Sequence, residues 1–268
     1  MVNVADSIMN NVVGNLIQQW TLLENAYANK LYPIMSRQWK DVAKSVENGD
    51  KIISDTVSEY TREINEAMKV NYRRVSEIYF ERTLEDLENA KSAEQKDTEN
   101  IFWDTMNKWI ATEAAREVVM VNSTTRKILN SIIKRGIEDG LGDPEIAKNI
   151  RTLSPISNKV RANRIARTET HTAYSKATNE TIRSTTTRIR NKVWVSAGDE
   201  RVRIDHAVAS GQSVGMDEFF FVGNEHLEFP GDSRGSAGNI INCRCIVNYI
   251  TVRQFRNFYL LPTLLRSL

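Results

Sequence analysis

The sequence predicts a mainly α-helical protein, with a long-helix N-terminal part followed by a small α+β C-terminal module. Over roughly the first 190 residues, apolar side chains recur at spacings of three and four, which is the period of an amphipathic helix. Beyond that point the period becomes strand-like. The stretch Trp194–Asn248 holds both cysteines, two of the three histidines and seven of the twelve glycines. This concentration indicates a compact, turn-rich unit.

The first half of the chain predicts two long helices. Residues 5–48 carry an apolar stripe that includes Leu16 and Trp20, and Pro33 predicts a kink or break because proline removes a helix hydrogen bond. Residues 53–87 contain no Gly or Pro. A helix of about 35 residues extends roughly 50 Å. It is either a coiled-coil-like arm or one helix of a bundle, and its irregular, aromatic seam favours the bundle.

Further helices are predicted before the change of period. Residues 91–98 are polar and form a loop or an exposed helical face, after which helical spacing resumes. Asp143-Pro144 starts a short helix, since aspartate caps free amide groups and proline suits the first helical position. Ser154-Pro155 predicts a boundary. Ser157 then caps a last helix that reaches about Arg190.

These patterns divide the chain into four segments. Residues 1–142 form a helical arm or bundle, and 143–190 form a basic helical segment. Residues 191–250 form the small α+β module, and 251–268 form a weakly amphipathic tail that docks on the body or on a partner.

Composition bounds the cellular context. No apolar run approaches the roughly 18 residues needed to cross a bilayer, so no membrane span is expected. The N-terminus lacks the basic start and apolar core of a signal peptide. Two cysteines separated by a single residue form no disulfide framework, which predicts a protein made in a reducing cytosol.

The net charge of +2 is unevenly distributed. Residues 151–203 carry 12 Lys/Arg against 4 Asp/Glu, whereas residues 1–150 carry 19 against 24. Such a basic block either meets phosphate or an acidic partner, or is a solvated helical face. On the first interpretation, six cations lie along one long helix and contact DNA phosphates without sequence preference. They are Arg161, Arg164, Arg183, Arg188, Arg190 and Lys192.

Four residues of the C-terminal module form a candidate metal site. Asp199, His206, Cys243 and Cys245 offer the carboxylate, imidazole and thiolate ligands that a structural zinc takes, and His226 is an alternative to Asp199. Side chains two apart on a strand share a face, although Cys-x-Cys is a poorer spacing than Cys-x-x-Cys. The other interpretation is structural. The cysteines are then small buried residues, the histidine is hydrogen-bonded in the core, and the aspartate caps the segment that follows it.

A catalytic interpretation uses some of the same residues. His206 with Asp199 or Asp205 resembles a general base with its orienting carboxylate, and Cys243 offers a nucleophile. The sequence has no nucleophile elbow, phosphate-binding loop or His-Glu-x-x-His motif. We therefore expect no enzyme and no cofactor, with a structural zinc as the open alternative for the cofactor and a metal-dependent nuclease as the enzymatic alternative.

Several short motifs occur in an order typical of one family. They are Ile165-Ala-Arg-Thr-Glu169 with Asn179, Trp194 with Asp199-x-Arg-Val-Arg-x-x-His206, Asp217-x-Phe219, Pro230-Gly-Asp232 and Asn242-Cys-Arg-Cys245. In this ordered set the sequence resembles the phage Mu F-like and SPP1-type head morphogenesis family of minor capsid proteins. The resemblance covers about 100 residues, roughly 145–250, and the helical part before them carries no comparable signature.

The resemblance implies a structural role in a tailed phage. Proteins of this kind occur in several copies inside the procapsid, near the portal vertex, and in the host cytoplasm during assembly. The implied partner is the portal protein, with scaffold or major capsid protein as further partners. We expect the helical residues 1–142 to dock on the portal or on the capsid. Some members bind double-stranded DNA and leave with it, so a non-specific DNA-binding accessory protein is the alternative. About 18 residues follow Ile250, too few for the enzymatic domain that other members carry there.

Overall fold

Five helices build the N-terminal part of the protein. The computed structural model describes residues 4–89, 97–185 and 189–251. The helices are α1 (Val4–Glu47), α2 (Ser54–Glu59), α3 (Thr61–Asn89), α4 (Thr98–Glu138) and α5 (Asp143–Thr185). A smaller region with strands follows. The predicted fold class is therefore confirmed: a mainly helical chain with long helices first and a small strand-containing C-terminal region.

Two prolines that were predicted to mark breaks lie inside continuous helices. Pro33 is within α1 and Pro155 within α5, so the boundary predicted at Ser154-Pro155 is wrong. A proline inside a helix costs about 3 kcal/mol. Around Pro155 this cost is offset by packing, because Ile150 before it and Ala162 after it are both buried.

Two further boundaries differ from the prediction. The single helix expected over 53–87 is interrupted at Tyr60, between the end of α2 and the start of α3. The last long helix ends at Thr185 rather than near Arg190, and the first strand begins at Ile189.

The chain divides into two compact units, each assembled from separate stretches of sequence. Unit 1 contains residues 1–23, 72–107 and 167–268, and unit 2 contains residues 24–71 and 108–166. The four consecutive segments predicted from the sequence do not coincide with these units. The motifs from Glu169 to Cys245 all lie in unit 1.

Unit 2 has its own apolar core and a buried polar bond. The core includes Trp39, Val42, Ile53, Leu129 and Ile146, which are almost completely buried. Beside it, the buried side chain of Gln38 donates through Nε2 to the backbone oxygen of Val57 at 2.9 Å.

The C-terminal part of unit 1 is built from short strands and helical turns. The elements are β1 (Ile189–Val195), α6 (Ile204–Ala209), β2 (Ser213–Gly215), β3 (Phe220–Val222), β4 (Glu225–Leu227), α7 (Ala237–Ile240) and β5 (Ile246–Thr251). One antiparallel sheet has the order β2-β1-β5, and β3 pairs with β4 in a hairpin. Strand β1 is central, with Trp194 opposite Val247 of β5. The Trp194 side chain shares a core with Phe220, Val222, Leu227 and the two cysteines.

None of the described helices contains a segment that is both long enough and apolar enough to span a membrane.

Candidate metal centre

Three of the four predicted zinc ligands lie together in the core of the C-terminal part. Among the described residues, His206, Cys243 and Cys245 form one group whose potential ligand atoms are all within 4.8 Å of one another. The His206 Nδ1 atom lies 3.4 Å from the Cys245 Sγ atom and 3.6 Å from the Cys243 Sγ atom. All three side chains are at most 2% exposed. The sequence motifs therefore converge on one enclosed point.

Local structure explains how these side chains meet. Helix α6 carries His206, whose ring lies edge-on to Trp194 with 5.5 Å between ring centroids. Cys245 directly precedes β5, where the pairing of Val195 with Ile246 fixes its position beside β1. Asn242 has a φ of 58°, a left-handed conformation that asparagine tolerates, and it reverses the chain after α7. The two cysteines are thereby brought to the histidine.

A hydrogen-bond chain fixes which histidine nitrogen faces the sulfurs. Asn239 donates through Nδ2 to the Glu225 Oε2 atom at 2.9 Å and to the Val222 backbone oxygen at 3.4 Å. Its Oδ1 atom therefore faces His206 Nε2, 3.3 Å away, and accepts a hydrogen bond from it. The lone pair of the neutral ring is then on Nδ1, which points at Cys243 and Cys245.

The two thiols have opposite electrostatic environments. The hydrogen bond from Cys243 is the main cause that lowers the pKa of Cys245 to about 5, against the opposing effect of burial. The hydrogen bond to Cys245, together with burial, raises the pKa of Cys243 well above its ordinary value. In the metal-free protein the Cys243 thiol thus donates to a Cys245 thiolate. Such a pair can coordinate a metal, but its burial shields it from any substrate.

The structure does not bring the other proposed ligands to this group. Asp199 is exposed, and its Oδ1 atom accepts a hydrogen bond from the backbone nitrogen of Arg201 at 3.0 Å. This is the turn-stabilising role that the structural interpretation assigned to it. His226 is exposed on β4, where its ring contacts Phe221 at 5.3 Å. Asp205, the carboxylate of the catalytic interpretation, is also exposed.

Helix α5 holds the loops of the C-terminal part through buried polar side chains. His171 donates through Nε2 to the backbone oxygen of Cys245 at 2.8 Å, and Thr172 donates to the backbone oxygen of Gly231 at 3.0 Å. The Thr168 Oγ1 atom accepts from the Asn242 nitrogen at 3.2 Å. His171 and Thr172 were not predicted in this role. The one feature of the sequence that could have indicated it is the polar run Thr168–Thr172 in a predicted helix.

Two residues of the family motifs have buried polar partners. Glu169 accepts a hydrogen bond from the Tyr72 hydroxyl at 2.5 Å. Asn179 donates to the Glu228 Oε1 atom at 3.0 Å and accepts from the Tyr249 hydroxyl at 3.2 Å. These motif residues therefore join α3, α5, β5 and the segment after β4 within unit 1.

Three of the six proposed DNA-contacting cations are engaged within the protein. Arg161 is buried and donates to the Val121 backbone oxygen and to Thr125. Arg183 pairs with Asp217 at 2.7 Å and with Glu228 at 3.1 Å. Lys192 is fully buried and donates to the Glu228 backbone oxygen at 2.9 Å. Burial lowers the pKa of Lys192 to about 8.

The remaining members of the set are arranged differently. Arg164 and Arg190 are exposed, and Arg188 lies outside the described residues. Because α5 ends at Thr185, Arg190 and Lys192 lie on β1 and not on the predicted single helix. DNA binding by the exposed members stays a prediction.

The His171 contact predicts how stability depends on pH. Burial lowers the pKa of His171 from 6.5 to about 3. The unfolded chain therefore binds a proton near pH 6.5 that the folded protein binds only near pH 3, so stability falls as the pH decreases between these values. We expect His171→Gln, which retains a donor for Cys245, to reduce this slope in urea unfolding measured from pH 7 to 4. The exposed His226→Gln control should leave the slope unchanged, and equal slopes in the wild type and H171Q would contradict the assignment.

Comparison with known families covers the C-terminal part of α4, all of α5 and the strands after it. Residues 127–248 match the family model described as Phage Mu protein F like protein. The match begins earlier than the motifs indicated, and it contains all three residues of the buried His–Cys–Cys group. No curated protein and no solved structure matches the chain.

Proposed function

Because residues 127–248 belong to the phage Mu protein F like family, a head morphogenesis family, we propose that this chain is a minor capsid protein bound to the portal vertex inside the procapsid. There it assists head assembly and DNA packaging or ejection. The family match carries this proposal. The protein acts by binding, and the enclosed position of the His206, Cys243 and Cys245 group is consistent with a role without turnover.

An exposed apolar stripe on α5 offers a contact surface for the portal protein. Leu153, Ile156 and Val160 are 47%, 73% and 52% exposed. Positions spaced by three and four residues share one face of a helix, so these side chains form a continuous stripe. The stripe lies inside the family-matched segment, at residues that unit 2 leaves exposed. We assign it to the portal because partner recognition commonly uses an apolar helix face.

Co-expression with the portal protein of the same phage tests the function. We expect the two proteins to elute together in size-exclusion chromatography and to be found together in purified procapsids. The double variant Ile156→Ser/Val160→Ser should weaken binding by roughly tenfold or more. Each aliphatic side chain contributes about 1.5 kcal/mol or more when buried, and 1.4 kcal/mol changes affinity tenfold.

The matched control is Lys148→Ser, an exposed position on a different face of the same helix. It should bind the portal like the wild type. Binding by the double variant equal to the wild type would remove the α5 stripe from the proposal. Absence of any complex in solution, together with absence of the protein from procapsids, would overturn the portal-bound function.

A further inference from the structure

We propose that His206, Cys243 and Cys245 bind one zinc ion, with the histidine coordinating through Nδ1, both cysteines as thiolates and a water molecule in the fourth position. This assignment is independent of portal binding. It rests on ligand geometry, on the groups that orient the ligands and on the charge of the buried site.

The ligand atoms already have the separations of a tetrahedral zinc site. With Zn–S bonds of about 2.3 Å and Zn–N bonds of about 2.0 Å, tetrahedral angles place nitrogen and sulfur about 3.5 Å apart. The observed distances from His206 Nδ1 are 3.4 Å to Cys245 Sγ and 3.6 Å to Cys243 Sγ. An ion can therefore be accommodated with little movement of these side chains.

The hydrogen-bond partners behind His206 are of the kind that a zinc-bound histidine requires. A ligating histidine usually donates its other ring N–H to an oxygen, which fixes the tautomer and the ring orientation. Here Asn239 Oδ1 accepts from His206 Nε2, and Glu225 in turn accepts from Asn239 and from the Ser236 nitrogen, both at 2.9 Å. This chain of hydrogen bonds holds the ring with Nδ1 directed at the two sulfurs.

Charge and ligand softness favour zinc over harder ions. Two thiolates balance the charge of a divalent cation, so coordination buries no net charge in the core around Trp194. Thiolate and imidazole ligands select zinc over magnesium or calcium, which take oxygen ligands. Both cysteines bind zinc as thiolates, so zinc affinity falls as the pH decreases.

The ion would connect two parts of the C-terminal region that are 37 residues apart in sequence. It links α6 to the short segment between α7 and β5. The backbone oxygen of Cys245 is also the acceptor of His171 on α5. Zinc would therefore brace the loop by which this region is held on the long helix.

Metal analysis of the full-length wild-type protein is the primary test. The protein is purified without a metal-affinity tag from zinc-supplemented cells, and zinc per chain is measured by plasma mass spectrometry. We expect one zinc per chain, a lower unfolding temperature after chelation and recovery when zinc is returned. Replacement by Co²⁺ should give thiolate charge-transfer bands and the visible bands of tetrahedral cobalt.

Variants separate this site from adventitious binding. Cys243→Ser/Cys245→Ser should lose the zinc and the cobalt bands, whereas the exposed His226→Asn should keep both. If the double variant does not fold, the cobalt titration of the wild type decides alone. Folded wild-type protein that takes up no zinc and gives no thiolate–cobalt band would overturn the proposal. A Cys243–Cys245 disulfide in freshly purified folded protein would overturn it equally.

Discussion

Replacing Trp194 by alanine should lower the free energy of unfolding by about 3–5 kcal/mol, the range for removing a large buried aromatic side chain. Trp194 is fully buried on the central strand, and its ring contacts Phe220 and His206 at 5.4 and 5.5 Å between centroids. The cavity left by alanine would lie beside both cysteines. Urea denaturation, with native helix content checked by circular dichroism, measures the loss.

Two further variants show whether burial causes this loss. Trp194→Phe keeps an aromatic ring in the core and should cost clearly less than W194A. Phe221 lies on β3 next to the buried Phe220 but is 52% exposed, so Phe221→Ala should change stability by no more than about 0.5 kcal/mol. Similar losses for W194A and F221A would show that Trp194 is not the anchor of this core.

Substitution of Gly231 by alanine should cost about 2–6 kcal/mol, for two reasons that add. Its φ of +81° is strained for any residue with a Cβ, at about 1–3 kcal/mol. A Cβ atom there would also lie 2.8 Å from His171 Nδ1 and 3.3 Å from Thr172 Oγ1, which is overpacking that costs a further 1–3 kcal/mol or so. The contact of this loop with α5 leaves room only for glycine.

Gly211 separates the two causes. It has a similar φ of +86°, but a Cβ atom there would meet nothing within 4 Å. Gly211→Ala should therefore cost only the backbone strain, about 1–3 kcal/mol. The difference between G231A and G211A in urea unfolding measures the steric contact with His171 and Thr172. Equal losses would mean that the loop moves away from α5 without penalty.

The helices were predictable because the spacing of apolar residues along the sequence shows which face of each helix is buried. The errors arose where tertiary packing outweighed the local conformational preference of a residue. Pro155 is a strong break signal by itself. Ile150 and Ala162, which lie before and after it in the same helix, are nevertheless buried, and the sequence does not show which side chains cover them. The error at Tyr60 is of the opposite kind. The helical spacing of apolar residues continues through this position, so the sequence does not indicate that the helix is interrupted there.

The metal centre was predictable in its ligands but not in its surroundings. Histidine and cysteine are rare in this chain, so His206 and the Cys-x-Cys pair were evident candidates. Asp199 was added to complete four ligands, although aspartate at a turn has a common local use. Asn239 and Glu225 could not be identified, because their role depends on contacts across 33 residues and 14 residues of sequence.

The pairing of β1 with β5 has a consequence for protein synthesis. A ribosome completes β1 at Val195 but does not reach Ile246 until about 50 residues later, so the central strand lacks one neighbour during that interval. At 5–20 residues per second, the interval lasts a few seconds. An unpaired strand edge is prone to association with other chains, so newly made copies are most vulnerable during this interval. A nonsense mutation anywhere between these strands would make that vulnerable state permanent.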